Sequence, residues 1–436
     1  MKNRKIALAS GIVAMSLALA ACGSNASNNT SNGHQSSSTD SSTNASESAS
    51  NTPKEKVPVT MVVQYNPNLF SDLETSFEKA NPDIDLQLVF MDNAQANKVL
   101  NAQFAAGEGP DIAPMNLDFF KLGYALELND QPFIDRLSDG AKLATTQADG
   151  SIFSVPFETW FQGIMYNKKI FADNGIEIPK TWDQFIAISE KLKAAGIKPL
   201  GVGDKDGDVI GKMALGVVLS TGAIIEPDIE SAKTTYSASW KTGLDKFYEV
   251  VSKGIIGTDA FGMSVDDMVN EFLTGKSAMI SMGSWQVADM HKKAPDLDFD
   301  IFPYPSVAEG QDNWAVGGVA GGGGVNAHSK HIDEALRVLD YIASPEGDAQ
   351  WIAVTHGGPV IKGTQGGLDP SLSGLQDTLG AGRTYAPWEG FKKINGENFV
   401  RTWFKTSQEI VSGKKTVDEG LQAVDDYVSK QLAALK

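Results

Sequence analysis

Residues 203–208, Gly-Asp-Lys-Asp-Gly-Asp, set three carboxylates at alternate positions, which is how a calcium-binding loop begins. The rest of that pattern fails. Counted from Asp204, the sixth position is Val209 where the sharp turn needs Gly, and the twelfth is Leu215 where a bidentate Glu is needed. Residues 317–324, Gly-Gly-Val-Ala-Gly-Gly-Gly-Gly, resemble a phosphate-binding loop, yet no Lys-Ser/Thr pair follows and no helix starts directly after it. His328 and His331 have helical i, i+3 spacing but no third ligand nearby, which suits surface residues better than a metal site. Neither Gly-x-Ser-x-Gly nor His-Glu-x-x-His occurs. Acidic residues abound, but sequence cannot place the two carboxyls about 5–10 Å apart that glycoside hydrolysis requires. The one cysteine, Cys22, rules out an intrachain disulfide and a cysteine zinc site. No metal and no cofactor is expected.

The scaffold behind these residues is a globular one. Of 436 residues, 42% are hydrophobic, enough to offset the entropy of ordering a backbone, while a mean hydropathy of −0.18 excludes a polytopic membrane protein. The length suits two domains, or three. A net charge of −17 with no basic patch sets the chain against nucleic acid and anionic lipid surfaces as partners. Residues 1–22 carry Lys2, Arg4 and Lys5, then an apolar run too short to span a bilayer comfortably, then Leu-Ala-Ala-Cys. This predicts an export signal ending at a lipobox, with Cys22 lipidated as the new N-terminus. Its removal takes away those three cations and shifts the net charge from −17 to −20. Residues 23–56 are mostly Ser, Asn and Thr and cannot bury a core; a flexible coil of this length reaches about 30–35 Å, a tether between membrane and body.

Along the body, residues 57–64 and 84–90 read as strands, with a helix between them through Leu73 and Phe77 and a second over 95–106 that Gly107 closes. A further extended piece covers 111–115. Strand, helix, strand, helix, strand is the pattern of a parallel sheet with right-handed crossovers. Later, 152–156, 164–166, 278–282 and 299–303 read as extended. Helices are expected at 182–195, with Thr181 as cap, and at 209–220, 239–253, 265–273, 332–343, 345–354, 398–412 and 417–434. The fold class is α/β, with helices dominating the last third.

Several segments together resemble the extracellular sugar-binding proteins of bacterial ABC importers, the broad family that includes maltose-binding protein. In order they are Ser76-Phe-Glu-Lys-Ala-Asn-Pro-Asp83, Gly107-Glu-Gly-Pro-Asp-Ile112, Val155-Pro-Phe157, Tyr166-Asn-Lys168, Pro179-Lys-Thr-Trp-Asp183, Gly275-Lys-Ser-Ala-Met279, Gly283-Ser-Trp285 and Ser412-Gly-Lys-Lys-Thr-Val-Asp-Glu419. The resemblance spans nearly the whole body. It implies a two-lobed, periplasmic-binding-protein-like fold with a hinge and an interlobe ligand cleft. Lobe one would hold 57–157 and 317–365, and lobe two 158–316 and 366–436.

On that resemblance the ligand is an oligosaccharide, delivered to the permease subunits of an ABC transporter at the outer face of a bacterial cell membrane. The protein is then not an enzyme, and it meets the membrane only through its lipid. A sugar ring offers apolar faces to aromatic plates and a rim of hydroxyls to carboxylates and amides. Trp285 matches the family's stacking tryptophan. Tyr65 and Asn66 fall at the carboxyl end of the first strand, where the family contacts ligand. Met115 and Asn116 stand where relatives carry an aromatic, which leaves Asn116 and Asp118 as polar candidates. Glu158 matches a ligand-binding acid, with Trp160 beside it at the crossover between lobes. Asp206 and Asp208 precede a cleft helix as hydroxyl acceptors or caps. Gly318 lies in the glycine run, where missing side chains allow close backbone approach and hinge rotation. His356, Trp388 and Arg401 complete the candidates. A surface-anchored glycoside hydrolase, or the same scaffold carrying a peptide, polyol or polyamine, stands as the alternative.

Overall fold

A computed structural model describes residues 55–435 apart from 92, 223 and 321. The expected export signal, Cys22 and all but the last two residues of the expected tether lie outside the described residues. Among the described residues no helix is long and apolar enough to cross a membrane.

Among the described residues ten strands form two sheets. They are β1 (Val57–Val63), β2 (Ile84–Phe90), β3 (Ile112–Ala113), β4 (Glu158–Asn167), β5 (Lys198–Gly201), β6 (Ser277–Gly283), β7 (Phe299–Phe302), β8 (Ala315–Ala320), β9 (Gly324–Val325) and β10 (Thr384–Tyr385). The smaller sheet runs β2-β1-β3-β9. In it β1 is parallel to β2 and β3, and the helices Ser71–Ala80 and Asn93–Ala105 supply the crossovers, as the alternation of patterns predicts. β9 adds an antiparallel strand.

The larger sheet is mixed and has order β10-β8-β4-β6-β5, with β7 also on β4. Ten residues long, β4 changes partner along one edge. Its first half pairs with β8, Glu158 opposite Ala320 and Gln162 opposite Val316, and its second half pairs with β7 from Ile164 opposite Phe302. Gly163 sits at the change, where a Cβ would lie 2.4 Å from the Phe302 carbonyl oxygen. Only glycine lets the backbones come this close.

Each sheet has its own core. The smaller gathers Met61, Phe77, Leu128, Val338 and Trp351 from residues 59–157 and 325–361. The larger gathers Trp182, Met213, Trp240, Phe272 and Trp403 from residues 161–316 and 372–428. Among the described residues the chain therefore passes between these two cores three times, over 157–161, 316–325 and 361–372. β8 belongs to one sheet and β9 to the other, so the glycine run is one of these passages.

Helix ends follow local chemistry. Thr181 and Gln184 form a capping box, as do Ser264 with Asp267 and Thr416 with Glu419; each such cap is worth about 1 kcal/mol. The helix expected over 239–253 is divided into Tyr236–Phe247 and Glu249–Ser252, and it starts earlier because the Thr235 side chain accepts from the Ala238 amide. The extended piece at 152–156 makes only a single bridge, Val155 to Gly323.

Candidate functional site

Three half-buried tryptophans meet where β4, β6 and the turn Pro387–Glu389 converge. Trp160, the third residue of β4, stacks on Trp388 with ring centroids 5.7 Å apart and planes 20° from parallel. Trp285, just after β6, presents its ring to Trp160 edge-on at 5.8 Å and 65°. Its indole folds back over Gly283, where any Cβ would meet the ring at 1.9 Å. Phe404 extends the group, edge-on to Trp388 at 6.4 Å. The Lys212 ammonium stands 5.4 Å from the Trp285 centroid and is held by Asp208 at 2.6 Å. The structure thus brings Trp160, Trp285, Trp388 and Asp208 together from four separate stretches of chain.

Gly318 lies directly across from Trp160 in the β4–β8 ladder. The space above it is taken by Glu389, whose Oε2 accepts from the Val319 amide at 3.1 Å and whose Oε1 accepts from Trp160 Nε1 at 3.4 Å. Loss of hydration pushes the Glu389 carboxyl up to about 8. Sequence reasoning passed over Glu389, since it follows a tryptophan and a proline in no recognisable motif.

Glu158 and Tyr65 bond to each other. The Tyr65 hydroxyl donates to Glu158 Oε1 at 2.7 Å, and Glu158 is 1% exposed. Burial raises its carboxyl to about 7, against hydrogen bonds from Thr355 and Tyr65 that pull the other way; burial and the neighbouring carboxylate raise the Tyr65 hydroxyl in turn. Asn66 is exposed and caps the turn Pro67–Phe70 by accepting from the Asn68 amide.

A third group lines a cavity of about 440 Å³ formed by Asn97, Lys98, Asn101, Asn116, Asp118, Phe119, Asn395 and Asn398. Asn116 caps the helix Leu117–Lys121 through the Phe119 amide and donates to Asn97 Oδ1 at 3.0 Å. Asp118 accepts from Asn395 Nδ2 at 2.7 Å, a bond between segments flanking different cores. Its four amides outside the sequence candidates come from two helical stretches, each with asparagines three or four residues apart.

The remaining candidates lie elsewhere. Asp206 is exposed in a turn. The capping role expected of Asp206 or Asp208 falls instead to Asp204, which is fully buried; its Oδ1 accepts from the Ile210 amide at 3.0 Å and its Oδ2 from Gln408 at 3.1 Å. His356 ends the helix Pro345–Thr355 in the left-handed conformation, φ 55°, with Nδ1 3.3 Å from Asp369. Asp369 also meets His291 at 3.2 Å. Arg401 is exposed. Among the described residues no group of three or more His, Cys, Asp or Glu has the geometry to hold a metal ion.

A family model of bacterial extracellular solute-binding proteins matches residues 62–349, well over half of the chain. The chain belongs to that family. A Multiple sugar-binding protein of Streptococcus mutans is 23% identical to this solute-binding protein over 367 residues, which cover 80% of this chain and 84% of the relative. Among solved structures, a family 1 extracellular solute-binding protein from Bifidobacterium longum subsp. infantis superposes with a TM-score of 0.67 at 25% identity, covering 86% of this chain and 100% of that one. A Bacillus licheniformis sugar transporter in complex with stachyose gives 0.70 at 19% identity, with the same coverage of both chains. The fold is thus the two-lobed one.

Proposed function

We propose that this solute-binding protein captures an oligosaccharide outside the cell and delivers it to the permease of an ABC importer, without cleaving it. The observation that carries this reading is the aromatic platform of Trp160, Trp285 and Trp388 beside the β4–β8 passage between lobes. Aromatic faces suit the C–H faces of pyranose rings, and a site at an interlobe passage lets one ligand touch both lobes. Binding then shifts the population toward a closed form that the permease recognises. Lobe one is assigned residues 57–157 and 317–365, and lobe two 158–316 and 366–436. Residues 1–22 act as the export signal, and lipidation of Cys22 holds the body at the membrane surface through the 23–56 tether. The sugar-binding name of one relative and the stachyose bound to another support the ligand class.

The experiment is a titration of the purified protein with stachyose and raffinose, followed by tryptophan fluorescence, with the sugar recovered afterwards. Saturable quenching or enhancement with intact sugar is expected. Cleavage products would establish the hydrolase reading in its place.

A further inference from the structure

The turn Pro387–Glu389 carries both Trp388 and Glu389, and two glycines that follow it make close approaches that no side chain would allow. At Gly390 a Cβ would lie 1.9 Å from the Tyr385 hydroxyl, which is itself bonded to the buried Glu226 at 2.5 Å. At Gly396 a Cβ would lie 1.8 Å from the Trp388 carbonyl oxygen. From the turn itself the Glu389 carboxyl reaches β8 at the Val319 amide and β4 at the Trp160 indole. That seat exists because residue 318 has no side chain: a Cβ there would stand 2.0 Å from Glu389 Oε2 and 2.6 Å from Oε1. One carboxylate therefore ties together both strands of the interlobe passage and the two stacked tryptophans.

We propose that Glu389 is the positioning residue of the platform: seated over Gly318, it holds Trp160 face to face with Trp388 and fixes both against β8. The link to affinity rests on the sugar-binding reading above; the link to ring geometry does not. The two carboxyl oxygens of Glu389 accept from both donors at once, and removing them leaves the Trp160 N–H and the Val319 N–H without their partner.

The test uses the full chain in three variants, Glu389→Ala, Glu389→Gln and Gly318→Ala, each checked for far-UV circular dichroism. In ligand-free protein, Glu389→Ala and Gly318→Ala are expected to lose the near-UV circular dichroism of the coupled indoles, and Glu389→Gln, which keeps an acceptor oxygen, to retain most of it. With stachyose, Glu389→Ala is expected to bind about tenfold more weakly and Glu389→Gln within about threefold of the parent. A wild-type near-UV spectrum in Glu389→Ala overturns the positioning role, as does a Gln variant as damaged as the Ala one. An altered spectrum with unchanged affinity overturns the platform's part in binding. Should the parent bind no oligosaccharide, the functional reading falls, while the ligand-free spectra still decide the role of Glu389. Should Gly318→Ala fail to fold, the two Glu389 variants decide alone.

Discussion

The Tyr65 hydroxyl, two residues past the end of β1, donates to the carboxyl of Glu158, the first residue of β4, across 2.7 Å. This bond ties the smaller sheet to the strand that leads into the larger one, at a carboxyl shut off from water. Tyr65→Phe keeps the ring and its edge contact with Phe70 and removes only the donor. The loss is expected to lower unfolding stability by about 1–3 kcal/mol. Urea denaturation of the parent and the variant measures it, and a midpoint within error of the parent would show the bond to be neutral.

Trp285→Ala removes the edge-on ring of the platform. Because the side chain is half-buried, the fold should survive. Oligosaccharide affinity should drop about tenfold, the order expected when an aromatic contact worth about 0.5–1.5 kcal/mol is lost together with its buried area. Isothermal titration calorimetry reads this directly, and unchanged affinity removes Trp285 from the site.

Glu226 is fully buried, with the Tyr385 and Tyr236 hydroxyls bonded to it, and burial raises its carboxyl from 4.5 to about 7. Glu158 shifts in the same direction to about 7. For an acid raised in the folded state, the native protein holds a proton that the unfolded chain releases, so stability falls as pH climbs from about 4.5 to about 7. The thermal midpoint should therefore decline across this window. Glu226→Gln, neutral throughout, should flatten the decline by an amount on the order of 1–3 kcal/mol at its upper end. A parallel pH profile in the variant would refute the assignment.

Asn395 and Asp118 bond at 2.7 Å between segments that flank different cores. Asn395 also caps the helix Gly396–Val411 by accepting from the Asn398 amide, so Asn395→Ala should lower stability by about 1 kcal/mol. It removes a tie between segments that flank different cores, and a bound oligosaccharide should dissociate about two- to threefold faster if that tie favours the closed form. Stopped-flow displacement compares the two rates.

Much of the architecture was legible because local chemistry decides it. The bounds of β2 and of the helix Val265–Leu273, and the Thr181 cap, follow from alternation, amphipathic period and a capping threonine. β8 was not legible as a strand: Ala-Val-Gly-Gly-Val-Ala has little intrinsic preference for one and is extended because it pairs with β4. At the site the tryptophans could be singled out by type, but their grouping depends on tertiary folding. Glu389 had no signal of its own, since its role arises from the missing side chain at Gly318, far away in sequence. Asp204, hidden among alternating acids, became the helix cap because it alone of the three is buried.

The three passages of the chain between its cores bear on the order in which it can fold. The smaller core needs Val325, Val338, Trp351 and Val360, which follow the whole 161–316 stretch of the larger one. An N-terminal fragment ending before residue 325 lacks part of its own interior, and its apolar sheet face would stay uncovered. Closing so long a loop adds only about 0.6 kcal/mol for each doubling of its length, yet it slows the search for native contacts. Synthesis from the N-terminus therefore completes neither core until residue 361 has been added.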